Sequence, residues 1–251
     1  MGQVDLDFKP TVPVFDANVA LGRHHNRVVS VDTAEGTLSE MDRAGIQRAL
    51  VYAPHAVNFD SDDGNNLLLE MIEGEDRLIP QFVCNPSYDN LDEFSAGVEE
   101  RGIRAVKVAP IPHGYPFRDW IVGPWMEWLA SVEIPVWVDA PDADPAELYD
   151  AIKRHPNVNF VLSQVHYRHA AWALPMLRGL ENTNVEISRF LNTEGIERLL
   201  DAAGGERVLF GSRFPDSPMS PQLYSLHLND LSESTLKAVC AGNLERLMGL
   251  K

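Results

Sequence analysis

Short apolar runs that are hydrophobic on both parities recur along this chain at intervals of about 23 to 34 residues, with helix-patterned segments between them. Eight such runs are present: Val12–Leu21, Ile46–Pro54, Leu78–Pro86, Arg104–Pro110, Ile134–Pro141, Asn159–Val165, Asn184–Arg189 and Arg207–Phe214. Strings such as ALVYAP, IPVWVDA and NFVLS do not alternate between apolar and polar. A strand with one wet face would alternate, so these strands are expected to be buried on both faces, as in a parallel sheet covered by helices. Eight βα units in 251 residues predict a single-domain α/β fold of the (β/α)8 TIM-barrel type over residues 1–251. The other arrangement with this alternation is an open doubly wound sheet. It is disfavoured because no G-x-G-x-x-G or phosphate-loop motif follows the first run.

The segments between the runs carry helix signals. Asp144-Pro145 followed by Glu147 predicts an N-cap, a proline at the first helical position and a capping-box acid, with Leu148 and Ile152 on one face. Leu91, Phe94 and Val98 repeat at helical spacing, as do Ile196, Leu199, Leu200 and Ala203 before Gly204-Gly205. Ser232 to Met248 predicts a closing helix. Trp120, Trp125 and Trp128 are spaced for core or subunit packing rather than for a ligand cage.

Charge narrows the function classes. Asp and Glu number 37 against 21 Lys and Arg, a net charge of −16, so a general nucleic-acid or anionic-membrane surface is not expected. No stretch approaches the roughly 20 apolar residues of a membrane span. The opening MGQVDLDFKP is acidic and lacks an apolar segment, so it reads as no secretory leader and a cytoplasmic location is expected. Cys84 and Cys240 match no metal or redox spacing and are expected to be buried free thiols. A homo-oligomer is compatible with all of this.

In a barrel the catalytic groups come from the C-terminal ends of strands. Side-chain alternation puts Asp16, Asn18 and Ala20 on one face at the end of the first run. The fourth run ends near Lys107, the fifth at Asp139, the sixth at Gln164, the seventh at Arg189 and the eighth at Arg213. Polar residues at one level of several strands make a candidate site, although the same residues could simply satisfy one another at the mouth. The loop Ala109–Asp119, which carries His113, reads equally as a substrate flap or as a stiff connector.

The segments VFDANVALG, GIRAVKVAP, EIPVWVDAP, VNFVLSQV, ERVLFGSRFP and AGNLERLMGL, in that order from about Val12 to Leu250, resemble the amidohydrolase superfamily. Within it, the chain is most similar to the amidohydrolase-related group, which includes metal-dependent decarboxylases and lactonases. RVLFGSRFP resembles that group's Arg-hydrophobic-Leu-Phe-Gly-Ser-Asp-Tyr-Pro, and GNLERLMGL its closing motif. The resemblance implies a barrel, and it also implies an altered metal site. The group's His-x-His after the first-strand Asp reads here Asn18 and Ala20. Its fifth-strand His reads Asp139, its sixth-strand His reads Gln164, and its eighth-strand Asp reads Arg213. A guanidinium only donates and stays charged, so Arg213 argues against a cation close by. No metal or other cofactor is therefore expected.

Three functional expectations follow. One is a metal-independent hydrolase of a small carboxylate-bearing ester or lactone. In it Arg213, Lys107 and Arg189 anchor the anion, Asp139 is the general base with His166 as the alternative, and Asp16, Asn18, His113 and Gln164 line the site. The hydrolytic reaction comes by analogy with the group alone. Another is a catalytically inactive relative kept as a binding or assembly subunit, in which Asp139 and Arg213 pair directly and fill the mouth. A further one is a metal-dependent hydrolase or decarboxylase with relocated ligands drawn from the loop histidines His24, His25, His55, His113, His166 and His169.

Overall fold

The structure is a computed structural model that describes residues 8–191 and 194–250. All eight apolar runs form strands of a parallel barrel. These are β1 (Phe15–Ala20), β2 (Arg48–Tyr52), β3 (Leu78–Pro80), β4 (Phe82–Cys84), β5 (Val106–Val108), β6 (Val136–Asp139), β7 (Phe160–Ser163), β8 (Thr183–Glu186) and β9 (Val208–Leu209). The third run yields both β3 and β4. Either side of Gln81 the partner changes: β3 pairs with β2, and β4 with β5. Pro80 has no N–H to give to a ladder, which marks the point of the switch. Every strand pairing is parallel. The ring closes between the first and last strands through Ala17 N–H to the Phe210 carbonyl at 3.0 Å and Ala20 N–H to the Phe214 carbonyl at 2.8 Å.

Two apolar layers result. Inside the barrel, Phe15, Leu50, Trp137, Val161 and Leu209 pack together, and Leu244, Leu247 and Met248 plug the end below them. The outer faces of the strands pack against the helices in a larger cluster that includes Trp125, Met126, Leu148, Ile152 and Leu199. Trp125 is thus core, as its spacing predicts, whereas Trp120 is 76% exposed. Both cysteines are buried free thiols.

The predicted helix start at Asp144 forms, with its carboxylate accepting from the N–H groups of Ala146 and Glu147. Glu147 does not complete a capping box. Its carboxylate instead accepts from Phe117 N–H at 2.8 Å and Arg118 Nε at 2.9 Å, tying down the loop before the preceding helix. The closing helix starts where Ser232 caps it but contains a π turn over Ala238–Gly242. The Val239 carbonyl there accepts Phe210 N–H from the end of the last strand at 2.8 Å. No helix among the described residues is long and apolar enough to cross a membrane.

Candidate functional site at the barrel mouth

Strand alternation sets the layers of the barrel interior. Above Trp137, Val161 and Leu50, two residues further along the same strands, come Asp139, Ser163 and Tyr52; Lys107 on β5 and Glu186 on β8 occupy the same tier. The pairing of β1 with β2 shifts register between Asp16 and Val19. Such an irregularity re-aims side chains, and here the Asn18 amide reaches across to Glu186 Oε1 at 3.0 Å.

The Lys107 ammonium is 1% exposed and lies 2.5 Å from Asp139 Oδ1 and 4.7 Å from the centre of the Tyr52 ring. Asp139 also accepts from the Ser163 hydroxyl and, through Oδ2, from Gln164 Nε2 at 2.8 Å. Both of its oxygens are therefore engaged. Gln164 turns its other amide atom outward, where Oε1 accepts Arg213 Nε at 3.1 Å. Asp139 and Arg213 are thus joined through Gln164 instead of pairing directly. Arg213 pairs with Asp216 at 2.9 Å, and Asp216 also holds Arg27 from the loop after β1. Gln164 and Arg213 both adopt left-handed backbone, at φ 55° and 62°. That conformation lets Gln164 N–H point to Glu186 Oε1 at 2.6 Å and Arg213 N–H to the Asn18 carbonyl at 2.9 Å.

Phe15 and Ala17 take the inward parity of β1, and the register shift intervenes before Asn18, so Asp16 does not share a face with Asn18 as alternation predicts; it is fully buried. Its Oδ1 accepts the N–H groups of Asn18 and Ser212 at 3.0 and 2.9 Å, while Oδ2 has no partner. Burial pushes its pKa up to about 7, with Glu186 adding to the rise. Glu186 is raised too, chiefly by burial, against the N–H and hydroxyl of Ser188, Gln164 N–H and the Asn18 amide that donate to it. A Cβ at Gly211 would collide with Glu186 Oε2, so a larger residue there would displace that carboxylate.

Arg189, just beyond β8, is half-buried, and its guanidinium has no hydrogen-bond or ion-pair partner among the described residues. Loss of hydration and then the neighbouring Arg213 charge lower its pKa. His166 is half-exposed, and desolvation, Arg189 and Arg168 lower its pKa. The His166 backbone N–H donates to His169 Nδ1 at 3.2 Å. His113 is drawn away from this group, with Nε2 3.1 Å from the Ala56 carbonyl. Its loop is pinned on both flanks, since Ile111 N–H also donates to the Asp142 carbonyl at 3.0 Å, which favours a stiff connector over a moving flap.

Tyr52, Ser163, Glu186, Asp216 and Asp142 were not singled out from sequence. Ser163 carried a usable signal, because it shares parity with the inward apolar Val161 of its strand, whereas the same-parity neighbour of Glu186 is the polar Asn184. Tyr52 follows Leu50 at strand parity and carried the same signal, whereas Asp216 and Asp142 lie in turns, where periodicity is silent.

A family model described as Amidohydrolase matches residues 14–250. The chain belongs to the amidohydrolase family. No curated protein matches it. Among solved structures, this chain is similar to a 5-carboxyvanillate decarboxylase from Novosphingobium aromaticivorans complexed with manganese and 4-hydroxy-3-methoxy-5-nitrobenzoic acid. The TM-score is 0.79 at 14% identity, covering 99% of this chain and 100% of the other. It is also similar to a 2,6-dihydroxybenzoate decarboxylase from Rhizobium, with TM-score 0.76, 13% identity and coverage of 95% and 99%. A third similarity is to a putative 2-pyrone-4,6-dicarboxylic acid hydrolase from Pseudomonas putida, with TM-score 0.71, 15% identity and coverage of 95% and 98%. These likenesses establish the fold as a TIM barrel over nearly the full chain.

A divalent metal such as that manganese does not fit the residues at this mouth. Among the described residues, no group of three or more His, Cys, Asp or Glu side chains is placed to hold one. Asp139 is occupied by an ammonium and Asn18 by Glu186, and the guanidiniums of Arg189 and Arg213 stand close by. The loop histidines form small local clusters, His25 with His55 and Phe59, and His166 with His169.

Proposed function

We propose that this protein binds a small carboxylate-bearing molecule at the barrel mouth without a metal ion, with Arg189 as the anchor and Arg213, held by Asp216 and Gln164, adding its field beside it. The observation that carries this is the pair of neighbouring guanidiniums above the Gln164 bridge, one of them without a partner among the described residues. The open planar fork of Arg189 suits a carboxylate, and partial burial strengthens the attraction. The resident positive charge at the centre of the mouth is the Lys107 ammonium, neutralised by Asp139 and so unavailable as a further anchor. An ester or lactone is the substrate class in view, by analogy within the family. A purely binding role is favoured by one observation, the engagement of both Asp139 oxygens, which leaves that carboxylate poorly placed to take a proton from water.

Two measurements test this. Plasma mass spectrometry on untagged protein is expected to find less than about a tenth of an equivalent of any transition metal; close to one equivalent of zinc, manganese or iron would overturn metal independence. Calorimetry with benzoate is expected to show binding that Arg189→Ala weakens by about tenfold. Unchanged affinity in that variant would remove Arg189 as an anchor.

A further inference from the structure

We propose that Asp142 is the residue that exchanges protons with a molecule bound at the mouth, the general base that the engaged Asp139 cannot be. The inference rests on the anion site just described and names the acid–base partner within it. Asp142 ends the short helical turn Ala140–Asp142 that follows β6 directly, which places it over the Asp139 side of the mouth. Its backbone carbonyl is held by Ile111 N–H at 3.0 Å, so the turn is fixed against the loop after β5. Its carboxylate has no hydrogen-bond or ion-pair partner among the described residues, yet the residue is half-buried and open to solvent. The charged and titratable groups that face it are Asp139 from β6, Lys107 from β5 and Tyr52 from β2.

A general base needs a free lone pair, access to the reacting molecule and a proton affinity near the working pH. Asp139 lacks the first and Asp16, fully buried, lacks the second. Asp142 has both, and burial together with the nearby Asp139 charge pushes its pKa up to about 6, against the opposing pull of Lys107. In the step assigned to it, water adds through oxygen to the acyl carbon of an ester or lactone while one water proton passes to the Asp142 carboxylate. The bond from the acyl carbon to the leaving oxygen then breaks, and the proton passes from Asp142 to that oxygen. Acid and alcohol form, and the carboxylate is regenerated.

The test follows aspartate side-chain carboxyl carbons by NMR in the full chain, with Asp142→Asn identifying the resonance by its loss. In the free protein this carboxyl is expected to titrate near 6. Added benzoate, an anion seated beside it, should raise the midpoint by about half a pH unit or more. A midpoint in the ordinary aspartate range would overturn the proposal. So would a midpoint that does not move while calorimetry shows benzoate bound. If benzoate gives no heat at any pH, the anion site itself fails, and the free-protein midpoint still decides for or against Asp142. With 5-carboxyphthalide as the carboxylate-bearing lactone probe, Asp142→Asn should lower kcat and abolish the acidic limb of the pH–rate profile while tightening benzoate at high pH by about threefold, the counterpart of the half-unit shift. Turnover equal to wild type with that limb intact would sink the assignment.

Discussion

The most constrained side chain at the mouth is Lys107. Its ammonium is buried against an aromatic face, and the charge is tolerable there because Asp139 lies 2.5 Å away. Removing one partner of such a pair leaves the other charged and unmatched in a poorly hydrated interior. Lys107→Met should therefore cost about 3–5 kcal/mol in urea unfolding, and adding Asp139→Leu should recover part of the loss because no bare charge is then left behind. A double variant no more stable than the single would show that the pair is not the source of the cost. Whether Asp139 would choose Lys107 or Arg213 was not legible in the sequence. Both follow the order of strand ends, but Lys107 lies within β5 whereas Arg213 lies beyond β9 and reaches only Gln164, a difference in height that strand rank does not encode.

At the scale of elements, the hydrophobic runs were informative because each strand is buried on both faces, so tertiary burial and local pattern agree. The same logic fails at the junctions. The split of the third run at Pro80–Gln81 depends on which neighbour each half meets, and the diversion of Glu147 depends on a loop 29 and 30 residues upstream. The closing helix shows the same limit. Its apolar periodicity predicted the element, but the π turn answers to a strand N–H that needs the Val239 carbonyl. The following Asn243 amide continues this tie, donating to the carbonyls of Gly205 and Val208 at 2.7 and 2.8 Å. Asn243→Ala leaves those carbonyls short of a donor in a buried place and should lower stability by about 1–3 kcal/mol in chemical denaturation. A change within a few tenths would mean that water replaces the amide there.

For the whole molecule, the carboxyl groups held in protonation-favouring places set a slope of stability with pH. Asp16 is raised from 3.8 to about 7 and Asp142 to about 6. A raised carboxyl makes the folded state bind more protons than the unfolded one between those limits, so its contribution falls as pH rises through that window and is constant above it. Asp16→Asn should accordingly lose less stability than wild type between about pH 5 and about pH 7.5, measured as the difference in urea midpoint. Parallel curves for the two proteins would contradict the burial of an uncompensated carboxyl at position 16.

The closure of the ring has one more consequence. Asp16 receives the N–H of Ser212 across 196 positions of sequence, and the backbone bonds beside it join the same two strands. A ribosome makes β1 long before its closing neighbour exists. For that whole interval one flank of β1 is an open template for other β segments. The growing chain must be shielded there, or β1 must stay uncommitted, until Arg207–Phe214 has emerged to latch it.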